Sequence, residues 1–174
     1  ARADYLRRAA EEMRQRVMQR LGADRLASWV GTFHSFGLFV LRREMEQLGR
    51  SKTFSIFDDT DQMGLMKRLT KELGAGYTAV SPREALHWIS VLKGELETPG
   101  EFPEDADDPE ERTYRKLWTR YHAALTRASA VDFDDLIVLT ARLLEQNAEV
   151  RERYRRRYRH VLVDEYQDTN HAQY

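Results

Sequence analysis

The fold of this chain is decided by the stretch Val161-Leu162-Val163-Asp164-Glu165-Tyr166-Gln167-Asp168-Thr169-Asn170. It begins with apolar, largely β-branched residues and continues with a polar run, so Val161–Asp164 is predicted to form a short strand that ends in a turn. Ser28–Phe33 has a similar composition and predicts a second short strand. Because the long segment between them is patterned for helices, we expect two adjacent parallel strands with a large helical insertion in their connection.

Helical periodicity dominates the rest of the chain. Near the N-terminus an apolar stripe ends before Gly22, which can close a helix; the stripe consists of Leu6, Ala10, Met13, Val17 and Leu21. Further helices are predicted over residues 35–48, 133–146 and 148–158, and after the capping sequences Asp58–Asp61, Ser81–Glu84 and Asp108–Glu111. Thr53–Phe57 predicts a brief extended segment. The sequence therefore predicts a mainly α fold with two or three short strands.

Composition places the chain among globular proteins and excludes several kinds of site. Its 174 residues are 41% hydrophobic and 33% charged, which excludes collagen-like, low-complexity and fully disordered chains. No apolar run approaches the roughly 18 residues that a membrane-spanning helix needs. The lack of cysteine excludes disulfides, thiolate zinc sites and iron–sulfur clusters. We therefore expect a cytoplasmic protein with no membrane partner.

Charge is balanced over the chain but unevenly distributed. The sequence has 28 Lys and Arg against 29 Asp and Glu, which by itself argues against a uniformly basic nucleic-acid binder. Residues 97–111 are acidic and contain prolines, so they predict a solvated loop. Residues 151–159 are rich in arginine with interleaved tyrosines; they fit a nucleic-acid backbone contact or, more commonly, the solvated face of a helix.

Asp164 and Glu165 are the sharpest candidates for chemistry. They would lie at the carboxyl end of the predicted strand, where open α/β sheets bind ligands. Mg²⁺ usually takes one or two carboxylates together with phosphate oxygens, and a neighbouring carboxylate can orient or deprotonate an attacking water. The alternative is a strand that runs into a polar turn, which is the commoner origin of a bare Asp-Glu pair.

Two further segments combine polar and aromatic residues at predicted helix starts. Gly31–Phe36 provides hydroxyls, an imidazole and aromatic rings, which suit phosphate contact and base stacking. Its alternative is a helix cap with core aromatics. Val131–Leu136 places three acids around an aromatic residue. Helix capping explains most of that pattern, although paired carboxylates can also bind a metal.

Five segments stand in an order that is found in one known family. They are Thr32–Phe36, Phe54–Asp58 with Asp61-Gln62, Lys93-Gly94-Glu95 with Pro99, Val131–Leu136, and Asp164–Asn170 with Ala172–Tyr174. Together they resemble the UvrD/Rep/PcrA-like family of superfamily 1 DNA helicases, whose TFHS, DFDDL and motif II sequences they match. The resemblance covers nearly the whole chain.

The resemblance implies a helical subdomain inserted into a truncated RecA-like α/β motor domain. Residues 1–43 and 130–174 would belong to the motor domain, and residues 44–129 to the inserted subdomain, which would lie towards the duplex. The family further implies that Asp164 holds Mg²⁺, that Glu165 activates the water attacking the γ-phosphate of ATP, and that Gln167 couples the ATP site to DNA. The implied DNA-binding residues are Thr32, Phe33, His34, Ser35, Asp132 and Phe133. The parent protein would use ATP and Mg²⁺ to translocate on single-stranded DNA and unwind forked DNA in repair or replication.

The sequence also departs from the family pattern. The phosphate-binding loop G-x-x-x-x-G-K-[ST] does not occur, and Gly49–Thr53 has a Lys-Thr pair without the preceding glycine. Leu6 and Arg7 stand where the family has Thr and Asn on the DNA path. The sequence ends soon after motif II. We therefore expect a piece of a helicase that has no phosphate loop to bind ATP and is inactive as an isolated ATPase.

Two other functions stay open at this point. The chain would fit a non-catalytic module that binds duplex or junction DNA with strong salt dependence. A metal-dependent nuclease would use a set of acids, namely Asp132, Asp134, Asp135, Asp164 and Asp168. For all three functions the predicted motor-domain strands would have open edges, so we expect these parts either to self-associate through those edges or to rearrange.

Overall fold

Helices dominate the computed structural model, which describes residues 2–22, 28–74, 77–100 and 108–174. The mainly α prediction is confirmed. The helices are α1 (Arg2–Leu21), α2 (Phe33–Glu44), α3 (Asp59–Glu72), α4 (Pro82–Gly94), α5 (Pro109–Arg127), α6 (Phe133–Gln146) and α7 (Ala148–Arg157). Short 3₁₀ helices cover Met45–Leu48, Tyr166–Asp168 and His171–Gln173.

The predicted helix starts are confirmed, because their capping side chains are in place. The Asp58 carboxylate accepts a hydrogen bond from the backbone N–H of Asp61 at 2.9 Å at the start of α3. Ser81 caps α4 and Asp108 caps α5 in the same way. Each cap satisfies an N–H group that has no partner within its helix and contributes about 1 kcal/mol.

The sheet consists of two short parallel strands. β1 (Ser55–Ile56) lies beside β2 (Ala130–Val131), with Ile56 opposite Val131. β1 falls within the predicted extended segment Thr53–Phe57. β2 has no strand signal of its own in the sequence, because its two residues stand between a helix end and the acidic start of α6.

The two predicted strands at Ser28–Phe33 and Val161–Asp164 are wrong. Residues 28–32 form no regular structure, and the residue after them begins α2. Residues 161–163 are also irregular, and the side chains of Val161 and Leu162 are 72% and 98% exposed. The composition of both segments favours a strand, but a strand needs a neighbour to pair its backbone and cover its apolar side chains. Within the described ranges no strand lies beside either segment.

Two larger apolar clusters join most of the helices in the described part of the chain. The first joins α3, α4 and α5 around the buried side chains of Ile89, Trp118 and Tyr121. The second joins α2, α6 and α7 and includes Leu41 and Val131. The buried residues of the first cluster lie between positions 65 and 130, whereas those of the second come from both sides of that segment.

The backbones of α2 and α6 approach each other closely at Gly37. A Cβ atom at this position would lie 2.2 Å from the carbonyl oxygen of Leu136 and 3.2 Å from Oγ1 of Thr140. Glycine is therefore needed here because two helix backbones touch, not because of a turn. The close approach also brings the first turns of α2 and α6 together, where His34 and Phe133 are in ring contact.

Some side chains of the arginine-rich segment contact neighbouring helices, and others are exposed to solvent. Arg153 Nη1 lies 2.7 Å from Oε1 of Glu44 in α2, and Arg151 donates to the carbonyl of Leu144 at 2.7 Å. The side chains of Arg155 and Arg156 are 79% and 82% exposed. This distribution agrees with the solvated face of a helix.

The apolar stripe near the N-terminus lies on α1, as predicted. Its members Met13, Val17 and Leu21 are exposed, and Ala10 is partly buried. The predicted acidic loop falls largely on residues 101–107, which lie outside the described residues. Of the helices in the described part of the chain, none is both long and apolar enough to cross a membrane.

Candidate functional site

The start of α2 uses its polar side chains for capping. Thr32 Oγ1 accepts a hydrogen bond from the backbone N–H of Ser35 at 3.2 Å, and the Ser35 hydroxyl donates to the Thr32 carbonyl at 2.8 Å. Phe33 packs inward against α6. Burial lowers the pKa of His34, so its imidazole is neutral at pH 7. The hydroxyls of Thr32 and Ser35 thus serve the helix cap, as the alternative interpretation predicted. The rings of Phe33 and His34 lie next to α6.

Phe133 lies opposite His34. It is the first residue of α6 and is 36% exposed. The ring centroids of His34 and Phe133 are 6.1 Å apart with an interplanar angle of 72°, an edge-to-face contact. An exposed aromatic ring next to an imidazole offers π faces on which an unpaired base can stack. The structure therefore brings together two segments to which the family resemblance implies a role in DNA binding.

Asp132, in contrast, is buried. Its carboxylate accepts hydrogen bonds from Nζ of Lys93 at 2.7 Å and from the Tyr121 hydroxyl at 3.0 Å. Nζ of Lys93 also donates to the carboxylate of Asp135 at 2.7 Å. One cation is thus enclosed between two carboxylates, and the Lys93 side chain is only 4% exposed. We call Lys93, Tyr121, Asp132 and Asp135 the Lys93 cluster.

Burial and charge have opposite effects on the pKa values in the Lys93 cluster. Burial would lower the pKa of Lys93, but the charges of Asp135 and Asp132 outweigh burial and hold that pKa above its usual value. Burial would raise the pKa of Asp135, but the Lys93 ammonium holds it below its usual value. Lys93 and Asp135 are therefore both charged near neutral pH. Burial, together with Asp132, raises the pKa of Tyr121, so its hydroxyl stays a donor.

The residues predicted for nucleotide chemistry lie on an exposed turn. Glu165 has a φ of 52°, and its backbone N–H donates to Oδ1 of Asp164 at 3.1 Å. The side-chain amide of Gln167 donates to the Glu165 carboxylate. A left-handed backbone at a residue other than glycine costs about 1–2 kcal/mol and is common in functional turns. Glu165 therefore contacts both Asp164, through its backbone, and Gln167, through its side chain.

The chain after this turn returns to α6. Ala172 is 8% exposed and packs with Ile137 and Val138 of α6, and Phe33 and Leu96 complete the group. Leu96 follows directly after α4, so the end of that helix also reaches this place. The start of α2, the first half of α6 and the segment after the exposed turn therefore meet.

The acids considered for a nuclease are not assembled into a metal site. Among the residues that the structure describes, no group of three or more His, Asp or Glu side chains is suitably placed to hold a metal ion. Asp132 and Asp135 are bound by Lys93, while Asp164 and Asp168 lie on the exposed turn. An exposed carboxylate such as Asp164 fits Mg²⁺ whose other ligands are phosphate oxygens and water, but it does not make an all-protein site.

Lys93 and Tyr121 are not among the site residues that the sequence predicts, although a signal for Lys93 exists. Ala85, Ile89 and Lys93 recur every four residues along α4, and all three are buried. A charged residue that continues an apolar stripe predicts a buried ion pair. The partners of Lys93 carry no such signal, because Asp132 is distant in sequence and resembles an ordinary helix cap.

Comparison with known protein families identifies the family of this chain. Residues 5–174 match the family described as the UvrD/REP helicase N-terminal domain. The chain belongs to this family. The resemblance inferred from the five sequence segments is therefore confirmed.

Named relatives support the same assignment. The chain is 40% identical over 175 residues to the ATP-dependent DNA helicase Rep of Salmonella typhimurium, covering 100% of the chain and 26% of the relative. It is 39% identical over 171 residues to the ATP-dependent DNA helicase PcrA of Leuconostoc citreum, covering 98% of the chain and 23% of the relative. PcrA of Staphylococcus aureus is 38% identical over 170 residues, with 98% and 23% covered. The chain thus spans about a quarter of the length of these relatives.

Proposed function

We propose that the chain is part of the first motor domain of a cytoplasmic ATP-dependent DNA helicase, which translocates on single-stranded DNA and unwinds forked DNA in repair or replication. The observation that supports this proposal is the meeting of the starts of α2 and α6 with the segment after Asp164. The family pattern assigns the first two to DNA and the third to ATP. Residues 1–43 and 130–174 would form the motor part, and residues 44–129 the inserted helices on the duplex side.

The proposed single-strand contact lies at the starts of α2 and α6. Its members are Thr32, Phe33, His34, Ser35, Asp132 and Phe133. Phe133 and His34 supply rings for stacking, and the first turn of α2 supplies backbone N–H groups that favour a phosphate. Asp132 contributes through its position beside Phe133, since its own carboxylate is bound by Lys93.

The proposed nucleotide chemistry belongs to the exposed turn. Asp164 would hold Mg²⁺ through its carboxylate, and the bound ion supplies charge neutralisation on the phosphates of ATP. Glu165 would orient the attacking water and accept its proton. Gln167 already donates to the Glu165 carboxylate, so a change at DNA that moves Gln167 would alter the position of this base.

We propose further that the isolated chain does not hydrolyse ATP, because no phosphate-binding loop is present in its sequence. Phosphate release should be measured with ATP, Mg²⁺ and single-stranded DNA, for the chain and for Glu165→Gln. We expect the same background rate for both. DNA-stimulated phosphate release that disappears in Glu165→Gln would contradict this part of the proposal.

DNA binding is tested by fluorescence anisotropy with a labelled oligothymidine at low salt. Phe133→Ala is expected to weaken binding by about tenfold or more, since stacking contributes roughly 1–3 kcal/mol per base. Tyr166→Ala removes an aromatic ring that is 52% exposed and lies in the 3₁₀ helix Tyr166–Asp168 rather than in the first turn of α2 or α6, and it serves as the matched control. Equal losses in both variants, or no binding by the chain at low salt, would contradict the proposed contact. Tighter binding to a hairpin than to the single strand would favour the non-catalytic duplex-binding function instead.

Self-association is proposed at the exposed apolar residues Val161 and Leu162, in the segment that the sequence predicts as a strand. The β2 edge of the observed sheet does not offer such a contact, because Ala130 and Val131 are fully buried. An unpaired apolar segment is prone to pair with another chain. Sedimentation velocity over a range of protein concentrations tests this proposal. A monomer throughout the range would contradict it.

A further inference from the structure

The carboxyl end of α4 is joined to the first turn of α6 by Lys93. The capping box at the start of α6 uses one oxygen from each of two carboxylates: Asp132 Oδ1 accepts from the backbone N–H of Asp135 at 2.9 Å, and Asp135 Oδ2 accepts from the backbone N–H of Asp132 at 3.2 Å. Lys93 donates to the other oxygen of each carboxylate. All four carboxylate oxygens of the capping box therefore accept a hydrogen bond. Lys93 donates to the two oxygens that the backbone does not use.

The same capping box determines where Phe133 lies. Phe133 is the residue between the N-cap Asp132 and the rest of the first turn, so its backbone position follows that of the two aspartates. Its ring contacts His34 on α2. A local shift of the capping box would therefore change the separation of these two rings, because α2 is packed against α6 one turn further along, at Leu136 and Thr140, and not against the capping box.

The other end of the connection lies in the first apolar cluster. Ile89, one turn before Lys93, is buried among residues of α3 and α5. Tyr121 of α5 adds a second link, since its hydroxyl donates to Asp132. Arg142 of α6 in turn donates to the backbone carbonyl of Leu96 at 2.8 Å, just beyond α4. α6 is thus hydrogen-bonded both to Lys93, in the last turn of α4, and to the backbone just beyond that helix.

We propose that Lys93 is a positioning residue, which ties the helices α3–α5 to the capping box of α6 and thereby sets the His34–Phe133 ring pair for contact with single-stranded DNA. The proposal rests on the proposed DNA contact for its functional consequence. Its structural part, the dependence of the ring pair on Lys93, stands separately. Separating a buried cation from two capping carboxylates is strongly destabilising, so a displacement of α4 would move the capping box with it.

The test measures ring geometry and DNA affinity in the same variants. Lys93→Met keeps the length of the side chain and removes its charge, and Lys67→Met on the exposed face of α3 is the matched control. We expect the nuclear Overhauser effect between the His34 and Phe133 rings to disappear in Lys93→Met. We expect the dissociation constant for labelled oligothymidine to rise by about tenfold, as for loss of a contact misplaced by about 1 Å. Lys67→Met should retain both properties.

A second control separates positioning from stability. Val150→Ala removes a buried side chain from α7, in the second apolar cluster, which contains no member of the Lys93 cluster. Measured at a temperature where circular dichroism shows both variants folded, Val150→Ala should keep the ring contact and the DNA affinity. Loss of both properties in Val150→Ala, or their retention in Lys93→Met, would overturn the proposal.

A milder variant covers the case in which Lys93→Met does not fold. Asp135→Asn keeps the pair between Lys93 and Asp132 and removes one charge from the cluster. It is expected to weaken the ring contact and to raise the dissociation constant by a smaller factor, whereas unchanged values would overturn the proposal. If the unmodified chain does not bind DNA, the proposed DNA contact fails, and the ring measurements alone decide whether Lys93 positions Phe133.

Discussion

Replacing Gly37 by alanine is expected to destabilise this chain, although glycine to alanine normally stabilises a helix. In an exposed helix the change gains about 1 kcal/mol, because alanine loses less backbone entropy on folding. At Gly37 the added Cβ would lie 2.2 Å from the carbonyl oxygen of Leu136, which belongs to a helix backbone and cannot rotate away. Weak carbon–oxygen contacts in proteins occur at about 3.3–3.6 Å, so α2 and α6 must separate by about 1 Å.

The cost of that separation exceeds the gain in helix propensity. Overpacking of a well-packed core costs typically about 1–3 kcal/mol. Separation of α2 from α6 also loosens the second apolar cluster around Leu41. Because the added Cβ meets helix backbone at 2.2 Å, the upper end of that range applies, and subtracting the gain of about 1 kcal/mol leaves a net loss of about 2 kcal/mol in the free energy of unfolding. The His34–Phe133 contact should lengthen as well, because these residues begin the two helices.

Gly64 provides the matched control. It lies within α3, and a Cβ at this position would meet no atom within 4 Å. Gly64→Ala should therefore raise the free energy of unfolding by about 0.5–1 kcal/mol. Urea denaturation followed by far-ultraviolet circular dichroism, at one protein concentration, measures both variants. A stabilised Gly37→Ala, or equal shifts in the two midpoints, would show that the helices do not touch at Gly37 and would refute the reasoning.

Further predictions concern charge, exposure and capping. Lys93→Met is expected to lower the free energy of unfolding by about 3–5 kcal/mol, since two carboxylates then stay buried without their cation, and Lys67→Met should change it by less than about 0.5 kcal/mol in the same urea titration. Because the pKa of Asp135 is lowered in the folded chain, this carboxylate stabilises the fold fully above its unfolded-state pKa of about 3.9, and the stabilisation is lost as pH falls through the lower folded-state pKa. When the free energy of unfolding is measured against pH in acid, Asp135→Asn should lack this loss. Leu162→Ser should leave the thermal midpoint within about 2 °C of the original, since the side chain is 98% exposed, and a larger fall would show that Leu162 is buried. Asp58→Ala should cost about 1 kcal/mol in thermal or urea unfolding, and Asp58→Asn, which also caps, should restore most of it.

Local signals were sufficient for the helices. Asp58, Ser81 and Asp108 mark helix starts, because a side-chain oxygen that caps its own helix acts over two or three residues and needs no distant partner. The helix over residues 133–146 was predicted at its observed bounds for the same reason. Gly22 and Gly49 adopt positive φ at helix ends, as the stop signals indicated.

Strands could not be placed in this way. Residues 161–163 have a strand composition, but pairing depends on a neighbouring backbone, which the described residues do not offer them. Ala130 and Val131 carry no strand signal of their own, yet they form a strand because Ser55 and Ile56 lie alongside. Strand identity is thus a property of the pair, whereas the helix signals belong to single segments.

The sequence by itself determined the family, the helices and the segments that meet at the candidate site, because motifs and caps are written in neighbouring residues. Only the tertiary structure decided that Asp132 is a buried partner of Lys93 while Phe133 stays exposed beside His34. It also decided that Gly37 is needed where two helices touch. These features depend on atoms far apart in sequence, because packing decides burial: a carboxylate enclosed with a cation joins two helices, and the aromatic ring next to it stays partly exposed.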